Sequence, residues 1–434
     1  MTTKKTAVVL GAYGLIGAAC ARSLANAGFH VVGVGRSRTT AHRVLPDIEW
    51  HILDLATAHV DDLRTIVSGA DVVVNAAGAL QDGLKDNVIA IHETMMRHLV
   101  AALQDAATRV IQISAAGVSE DASTEFFRSK ARGDRVLMTS GLDWVVLRPT
   151  LVIAPQAYGG TALLRASAAM PFIEFAVLPA SRVQTVSLDD VADAVVSAAR
   201  DEIACGTVGE LTENHNHGFS ELVGSVRGWL GFTPWRLRMT VPLWAIKLLA
   251  RVADALGSLG WRSPFRTTAI TVLQDGIRGD PAPWIAAGGA PCRSLDETLA
   301  RMPAGIQERW FARLYLLLPV IIGTLAVFWL LSGLIGLMYH AAAAKILTEH
   351  GFSDLMANFF VSVGAIADIA LGGAIVVRRF ARKAALGMVA VSLGYVAAAT
   401  FFTASLWADP LGPLVKVLPG IVLALVAAAL LDER

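Results

Sequence analysis

Gly11-Ala12-Tyr13-Gly14-Leu15-Ile16-Gly17 is the stretch that most restricts the folds open to this chain. It lies between the apolar run 6–10 and an Ala-rich stretch, 18–27, with helical spacing, so it reads as strand, glycine turn, helix. Glycines serve three purposes at such a turn: they let it be tight, they let backbone approach a pyrophosphate, and they let the helix start pack on the sheet. The N–H groups and macrodipole of the helix N-terminus then favour phosphate.

The following segments repeat the strand and helix alternation. The second strand, 30–35, ends in Arg36-Ser37-Arg38. Folds of this kind that bind NAD place an acid about twenty residues past the glycines for the ribose 2′-hydroxyl. Arginines there suit the extra phosphate of NADP(H), which makes NAD(H) the less expected cofactor; two solvated surface arginines are the alternative reading. A third strand, 49–53, leads to Asp54-Leu55 where adenine would lie, and a fourth, 71–74, runs into Asn75-Ala76-Ala77-Gly78, small residues that let backbone pass beside a cofactor. After a helix at 90–104, strand 110–113 ends in Ser114-Ala115-Ala116-Gly117. The pattern predicts a Rossmann-type doubly wound parallel α/β sheet whose strand ends line one cleft.

The glycine turn, Asp54-Leu55, Asn75-Ala76-Ala77-Gly78, Ser114, Lys130 and Leu147-Arg148-Pro149 together resemble an extended or atypical short-chain dehydrogenase/reductase. The nearest subgroup is the NmrA-like proteins and the NADPH-carrying accessory subunit of respiratory complex I, and the likeness runs over about residues 5–305. It implies cofactor contacts from Gly11 to Gly17, from Arg36, Ser37 and Arg38, from Asp54 and Leu55, from Ala76, Ala77 and Gly78, and from Ser114 and Lys130.

The family places a tyrosine four residues before its helical lysine, so that the lysine lowers the phenol's pKa and holds the nicotinamide ribose. Here Phe126 stands four residues before Lys130. A phenyl ring donates no proton, so the family's acid/base step does not carry over. Ser114 keeps a polarising role open. Tyr158 offers either a hydroxyl near the same pocket or a rim aromatic.

Residues 151–305 read as a small α+β substrate-side lobe, after a 1–150 nucleotide domain. Within it, 184–187 and Leu188-Asp189-Asp190-Val191-Ala192 read as a strand and a helix start, the aspartates serving as caps. His215 and His217 form a local pair without further metal ligands at recognisable spacing, so no metal site is expected. Segment 241–259 is apolar with Lys247, Arg251 and Asp254 toward one side: either a packed lobe helix or one lying on a bilayer surface.

Hydrophobic residues make up 54% of the 434, too many for a soluble enzyme throughout. The excess lies after Arg313, in runs at 315–338, 355–377, 384–406 and 414–431, where about 20 residues suffice to cross a bilayer. This predicts a four-helix transmembrane bundle over 314–434, and the block resembles the DoxX-like membrane family. Asp368 lies mid-run, where facing lipid would cost roughly 2.5–3.5 kcal/mol, so it should face the bundle interior as a proton or ligand group or as a hydrogen-bond clasp. His340, at the end of the first run, reads as an interfacial residue. Basic residues 378, 379, 382 and 383 between the second and third runs, with Arg301, Arg309 and Arg313 before the first, place both regions on the cytoplasmic side of an inner membrane. The net charge of +1 points to no nucleic-acid partner. Three dispersed cysteines suggest neither a disulfide framework nor zinc. Lys4 and Lys5 before an apolar run imitate a signal peptide, but the glycine turn and Arg22 argue against one.

Together these readings imply a membrane-anchored NADP(H)-dependent oxidoreductase acting on a lipophilic, quinone- or lipid-like substrate. The alternative is an NADPH-binding scaffold, sensor or assembly factor with a membrane-complex partner.

Overall fold

The computed structural model describes residues 4–79, 87–104, 106–261, 263–410 and 412–432. They form two compact units. One runs up to Asp254 and again from Ser263 to Ala312; the other comprises Ala255–Arg262 and Arg313 onward.

The first unit is built on β1 (Thr6–Leu10), α1 (Leu15–Asn26), β2 (His30–Gly35), α2 (Arg38–Val44), β3 (Glu49–Ile52), α3 (Val60–Val67) and β4 (Val72–Asn75). A π-helical turn, Ala90–Thr94, then opens α4 (Met95–Ala102), and β5 (Arg109–Ile113), α5 (Glu125–Met138) and β6 (Asp143–Pro149) follow. Val-rich runs such as β4 are buried on both faces, as strands in a parallel sheet must be. One core lies between the sheet and α1, and a second packs Leu63, Met96, Leu99 and Leu137 on the opposite face.

The remainder adds β7 (Leu151–Ile153), α6 (Gly159–Ala168), β8 (Ile173–Ala176), β9 (Arg182–Val183), β10 (Thr185–Ser187), α7 (Leu188–Ala199), β11 (Thr207–Leu211), β12 (His217–Gly218), α8 (Phe219–Trp229), β13 (Leu237–Thr240), α9 (Leu243–Ser258), α10 (Thr267–Asp275), α11 (Ala282–Ala286) and α12 (Leu295–Arg301). The residues read as the substrate-side lobe also complete the sheet. Strand β11 pairs in parallel with β6, giving a seven-stranded sheet in the order β11-β6-β5-β4-β1-β2-β3, and Val191 and Val195 of α7 join the core under α1. The sheet reaches past the lobe because β6 would otherwise leave an apolar edge unpaired. What remains of the lobe is three two-stranded pieces and their helices around Leu164, Leu222 and Leu295. Ser187 caps α7, accepting from Asp189 N at 3.3 Å, while Asp189 and Asp190 occupy the first turn.

The chain passes through α13 (Ile306–Tyr315) into the second unit: α14 (Leu317–Met338), α15 (His340–Glu349), α16 (Asp354–Ala374), α17 (Arg378–Phe402) and α18 (Val417–Asp432). Among the described residues three helices, α14, α16 and α17, are long and apolar enough to span a bilayer. The fourth expected span is approximate. Gly412 and Pro413 make its first residues turn rather than helix, so α18 has 16 residues, about 24 Å against a hydrocarbon core of about 30 Å. The basic cluster also differs from expectation, because Arg378, Arg379, Arg382 and Lys383 form the first turns of α17 instead of a loop. Helices α14 and α16 cross closely: a Cβ on Gly333 would stand 2.5 Å from the Ala365 carbonyl oxygen.

Candidate active site

The glycine turn sits at the end of β1, beside β4, where the strand order of the sheet reverses and α/β folds bind ligands. Gly11 has φ +74°, and a Cβ on it would stand 2.9 Å from Ala77 Cα; on Gly17 it would stand 2.3 Å from the Gly11 carbonyl oxygen. Both positions require glycine. The N-cap Gly14 supplies no side-chain acceptor, and the first turn of α1 has no acid, which keeps that helix end electropositive. Asn75 shapes the facing turn: its Nδ2 donates to Gln112 Oε1 at 2.7 Å, and its Oδ1 accepts from Ala77 N at 3.2 Å. This cradle, with Gly11–Gly17 on one side and Ala76, Ala77 and Gly78 on the other, is made of backbone and small residues and fits a dinucleotide pyrophosphate.

Next to it lies a cleft of about 490 Å³ lined by Arg36, Ser37, Ile52, Leu53 and Asp54. Tyr13 reaches the Arg36 backbone from the glycine turn: its ring lies 6.1 Å from Trp50, and its hydroxyl accepts the Arg36 N–H at 3.2 Å. Ser37 caps α2 by accepting from Thr40 N at 3.3 Å. Arg38 begins α2 and does not line the cleft, and Leu55 is buried in the core. Asp54 Oδ1 accepts from Ala56 N at 3.1 Å.

At the other end of the cradle the ends of β4 and β5 meet α5. Lys130, 7% exposed, donates from Nζ to the Ile113 carbonyl at 3.1 Å and lies 5.8 Å from the Phe126 ring centroid. A Cβ on Gly78 would be 3.9 Å from that Nζ. The lysine is therefore placed one helical turn from the phenyl ring. Burial lowers its pKa to about 8, opposed by the charge of Asp134. Ser114 Oγ donates to Asp134 Oδ2 at 2.6 Å, and Arg148 Nη2 donates to the same oxygen at 3.1 Å. Burial raises the Asp134 carboxyl, against the Ser114 hydrogen bond and the charges of Lys130 and Arg148.

His92 completes the cluster. Its Nε2 accepts the Ala79 N–H at 3.2 Å, so the ring proton is on Nδ1, facing Ser129 Oγ at 2.9 Å. Burial, then the Lys130 charge, holds its pKa down at about 2. The π-helical turn at His92 lies where α5 comes closest: a Cβ on Gly133 would be 2.1 Å from the His92 carbonyl oxygen. The sequence reading missed Asp134 and His92. Asp134 carried a signal, its spacing of four from Lys130, whereas His92 was one polar residue in a helix of mixed pattern.

Tyr158 is not drawn into this cluster. It sits at the N-cap of α6, 64% exposed, and lines neither cleft described here. The second cleft, about 380 Å³, opens past β5 between Gly117, Ser119, Phe127 and Arg278. The histidine pair gains an acid that spacing alone had not suggested: His215 Nε2 and His217 Nδ1 lie 3.6 and 3.7 Å from Glu221 Oε1, while Glu221 Oε2 accepts from Gly218 N at 3.1 Å and so caps α8. In the membrane unit, Asp368 accepts from Ser332 Oγ at 2.7 Å and from Tyr395 OH at 3.1 Å, linking α14, α16 and α17. His340 Nε2 lies 2.9 Å from Ser362 Oγ.

Residues 11–202 match the NAD(P)H-binding family, and residues 326–425 match the DoxX-like family. The chain thus carries an NAD(P)H-binding stretch followed by a DoxX-like one. No curated protein matches its sequence. Three solved structures share the fold of the NAD(P)H-binding unit. The enzyme WbmH of Bordetella bronchiseptica, in complex with NAD+, is 19% identical with a TM-score of 0.52, covering 69% of this chain and 97% of its own. UDP-glucose 4-epimerase of Thermotoga maritima, with UDP-glucose, is 14% identical with a TM-score of 0.51, covering 68% and 96%. The NADPH-dependent quinone oxidoreductase QOR2 of Escherichia coli, with NADPH, is 16% identical with a TM-score of 0.52, covering 68% and 99%.

Proposed function

We propose that the dehydrogenase-type domain uses NADP(H) to reduce a lipophilic, quinone-like acceptor, with the DoxX-like helices anchoring it in a cytoplasmic membrane and its N-terminal domain in the cytoplasm. One observation carries this reading: Lys130 lies beside Gly78 while Phe126 occupies the place from which the family's tyrosine would protonate a substrate. When bound, the cofactor supplies a hydride. Gly11, Gly14 and Gly17 let the turn and helix start hold its diphosphate, Arg36 faces the 2′-phosphate, and Lys130 holds the nicotinamide ribose. Ser114 gives its proton to Asp134, so it is not poised to polarise a carbonyl. A ketone needs a positioned acid, which typically contributes about 10²–10⁴-fold. A reduced quinone is a phenolate with a pKa near 10, the value of tyrosine, and takes its proton from water. That the fold is shared with an NADPH-dependent quinone oxidoreductase supports the same reading.

The internal use of Ser114 and Lys130 also favours a second reading, in which the dinucleotide is held as a sensed or structural ligand of a membrane assembly. Phe126→Tyr separates the two. In the reductase reading the wild type leaves ordinary ketones untouched and the variant gains measurable ketone reduction, because Lys130 is already one turn away. Absence of NADPH oxidation by both proteins, with every acceptor and with tight binding retained, favours the scaffold.

A further inference from the structure

The substrate-side lobe keeps an apolar face that its own fold leaves uncovered. At about 100° per residue, α9 divides into three sectors. Ile246, Ala250 and Ala253 are buried, the first two clustering with Ile270. Lys247 and Arg251 flank that sector on one side, near Asp254, which pairs with Arg266 at 2.8 Å. Between them Trp244, Leu248, Leu249 and Val252 cover an arc of about 140°, all four exposed and Trp244 by 70%.

A neighbouring element adds to it. Strands β8 and β13 pair in parallel with Phe175 opposite Met239, so Phe175, Met239 and Leu237 share one sheet face, and all three are exposed. Phe172, just before β8, has φ +60° and is 67% exposed, a combination that bulky residues rarely adopt. The Val241 N–H donates to the Ala176 carbonyl at 3.0 Å, so β8 leads directly to the start of α9. Single exposed apolar residues are ordinary; eight on two adjoining elements mark an interaction surface.

The chain itself indicates what covers this surface. The segment continuing α9 belongs to the membrane unit: the Leu259 carbonyl accepts from Arg378 N at 3.0 Å, and Trp261 Nε1 donates to the Val376 carbonyl at 2.6 Å. Arg378 opens the spanning helix α17. The apolar arc ends at Val252, only a few residues of chain before Ala255, where the membrane unit's first segment begins, so it is joined covalently and closely to that unit. An apolar arc edged by tryptophan and by lysine and arginine, whose stems can lie along apolar surface, is the composition of an interfacial helix.

We propose that the Trp244–Val252 arc of α9, together with the Phe172 and β8–β13 edge, rests in the headgroup and acyl boundary of the bilayer. The test uses the full chain with Cys205→Ser and Cys292→Ser. Single cysteines are introduced as Trp244→Cys, Leu248→Cys and Val252→Cys, with Asp189→Cys as an exposed control, and labelled with an environment-sensitive fluorophore. Proteoliposomes of phosphatidylcholine and phosphatidylglycerol are made with and without nitroxide-bearing acyl chains. Blue-shifted emission at two or more of the three α9 positions, quenched about two-fold or more by the nitroxide lipids, with the control unaffected, is the expected result. Emission matching the control overturns the proposal. A blue shift without nitroxide quenching also overturns it, since the face is then covered by protein, whether a second copy, a partner or the chain's own membrane unit.

Discussion

In the proposed function Arg36 is the residue on which cofactor choice turns. It lines the cleft beyond β2 where a 2′-phosphate would lie. A charge-assisted hydrogen bond contributes about 1.5–3 kcal/mol, so Arg36→Ala should weaken NADPH binding roughly 10- to 100-fold and leave NADH nearly unchanged. Calorimetry on the solubilised chain reads this directly, and equal losses for both cofactors would remove Arg36 from the phosphate site. His92 gives a pH signature. Its folded pKa of about 2 lies far below the ordinary 6.5, so between those values the unfolded chain binds a proton that the folded chain refuses. Its contribution is fully present above about pH 6.5 and is lost as pH falls through that window. His92→Gln should flatten the acid limb of a thermal-stability profile; an unchanged limb would show that other groups cause it. The glycines were legible in the sequence because their role is local, a turn and two close approaches. His92 and Asp134 were not, because their significance arises only when α4, α5 and β5 come together.

At the scale of elements, alternation of strand and helix was enough to read the parallel sheet, but not its seventh strand. β11 is separated from β6 by β7–β10 and two helices, and nothing in Thr207–Leu211 itself records that its partner is β6. Hydropathy located the membrane runs and misplaced their ends, because arginine and lysine are good helix formers and α17 begins with them. The positive-inside reading survives that shift, since the same residues remain at the same end of the helix. With α14 leading out and α16 leading back, Arg379 should lie on the cytoplasmic side and Ala343, in α15, on the other, whether or not α18 spans. Labelling of Ala343→Cys but not Arg379→Cys by a membrane-impermeant thiol reagent in intact cells is the expected pattern; the reverse would invert the topology.

For the whole molecule, the proposed function links the two halves: a cofactor cleft without the usual phenol would suit an acceptor that needs no positioned acid, and a lipophilic quinone is one. Asp368 fits the same economy of structure, joining three membrane helices through Ser332 and Tyr395. The most direct measurement is a stoichiometric one. The full chain in proteoliposomes, loaded with one equivalent of NADPH under anaerobic conditions, is mixed with a lipophilic quinone or with a ketone of similar size, and the absorbance of cofactor and acceptor is followed together. One equivalent of hydroquinone should form for each NADPH oxidised, with no reaction toward the ketone. NADPH that stays bound and unoxidised before every quinone, or a ketone reduced at typical enzymatic rates of about 1–10³ per second, would contradict it.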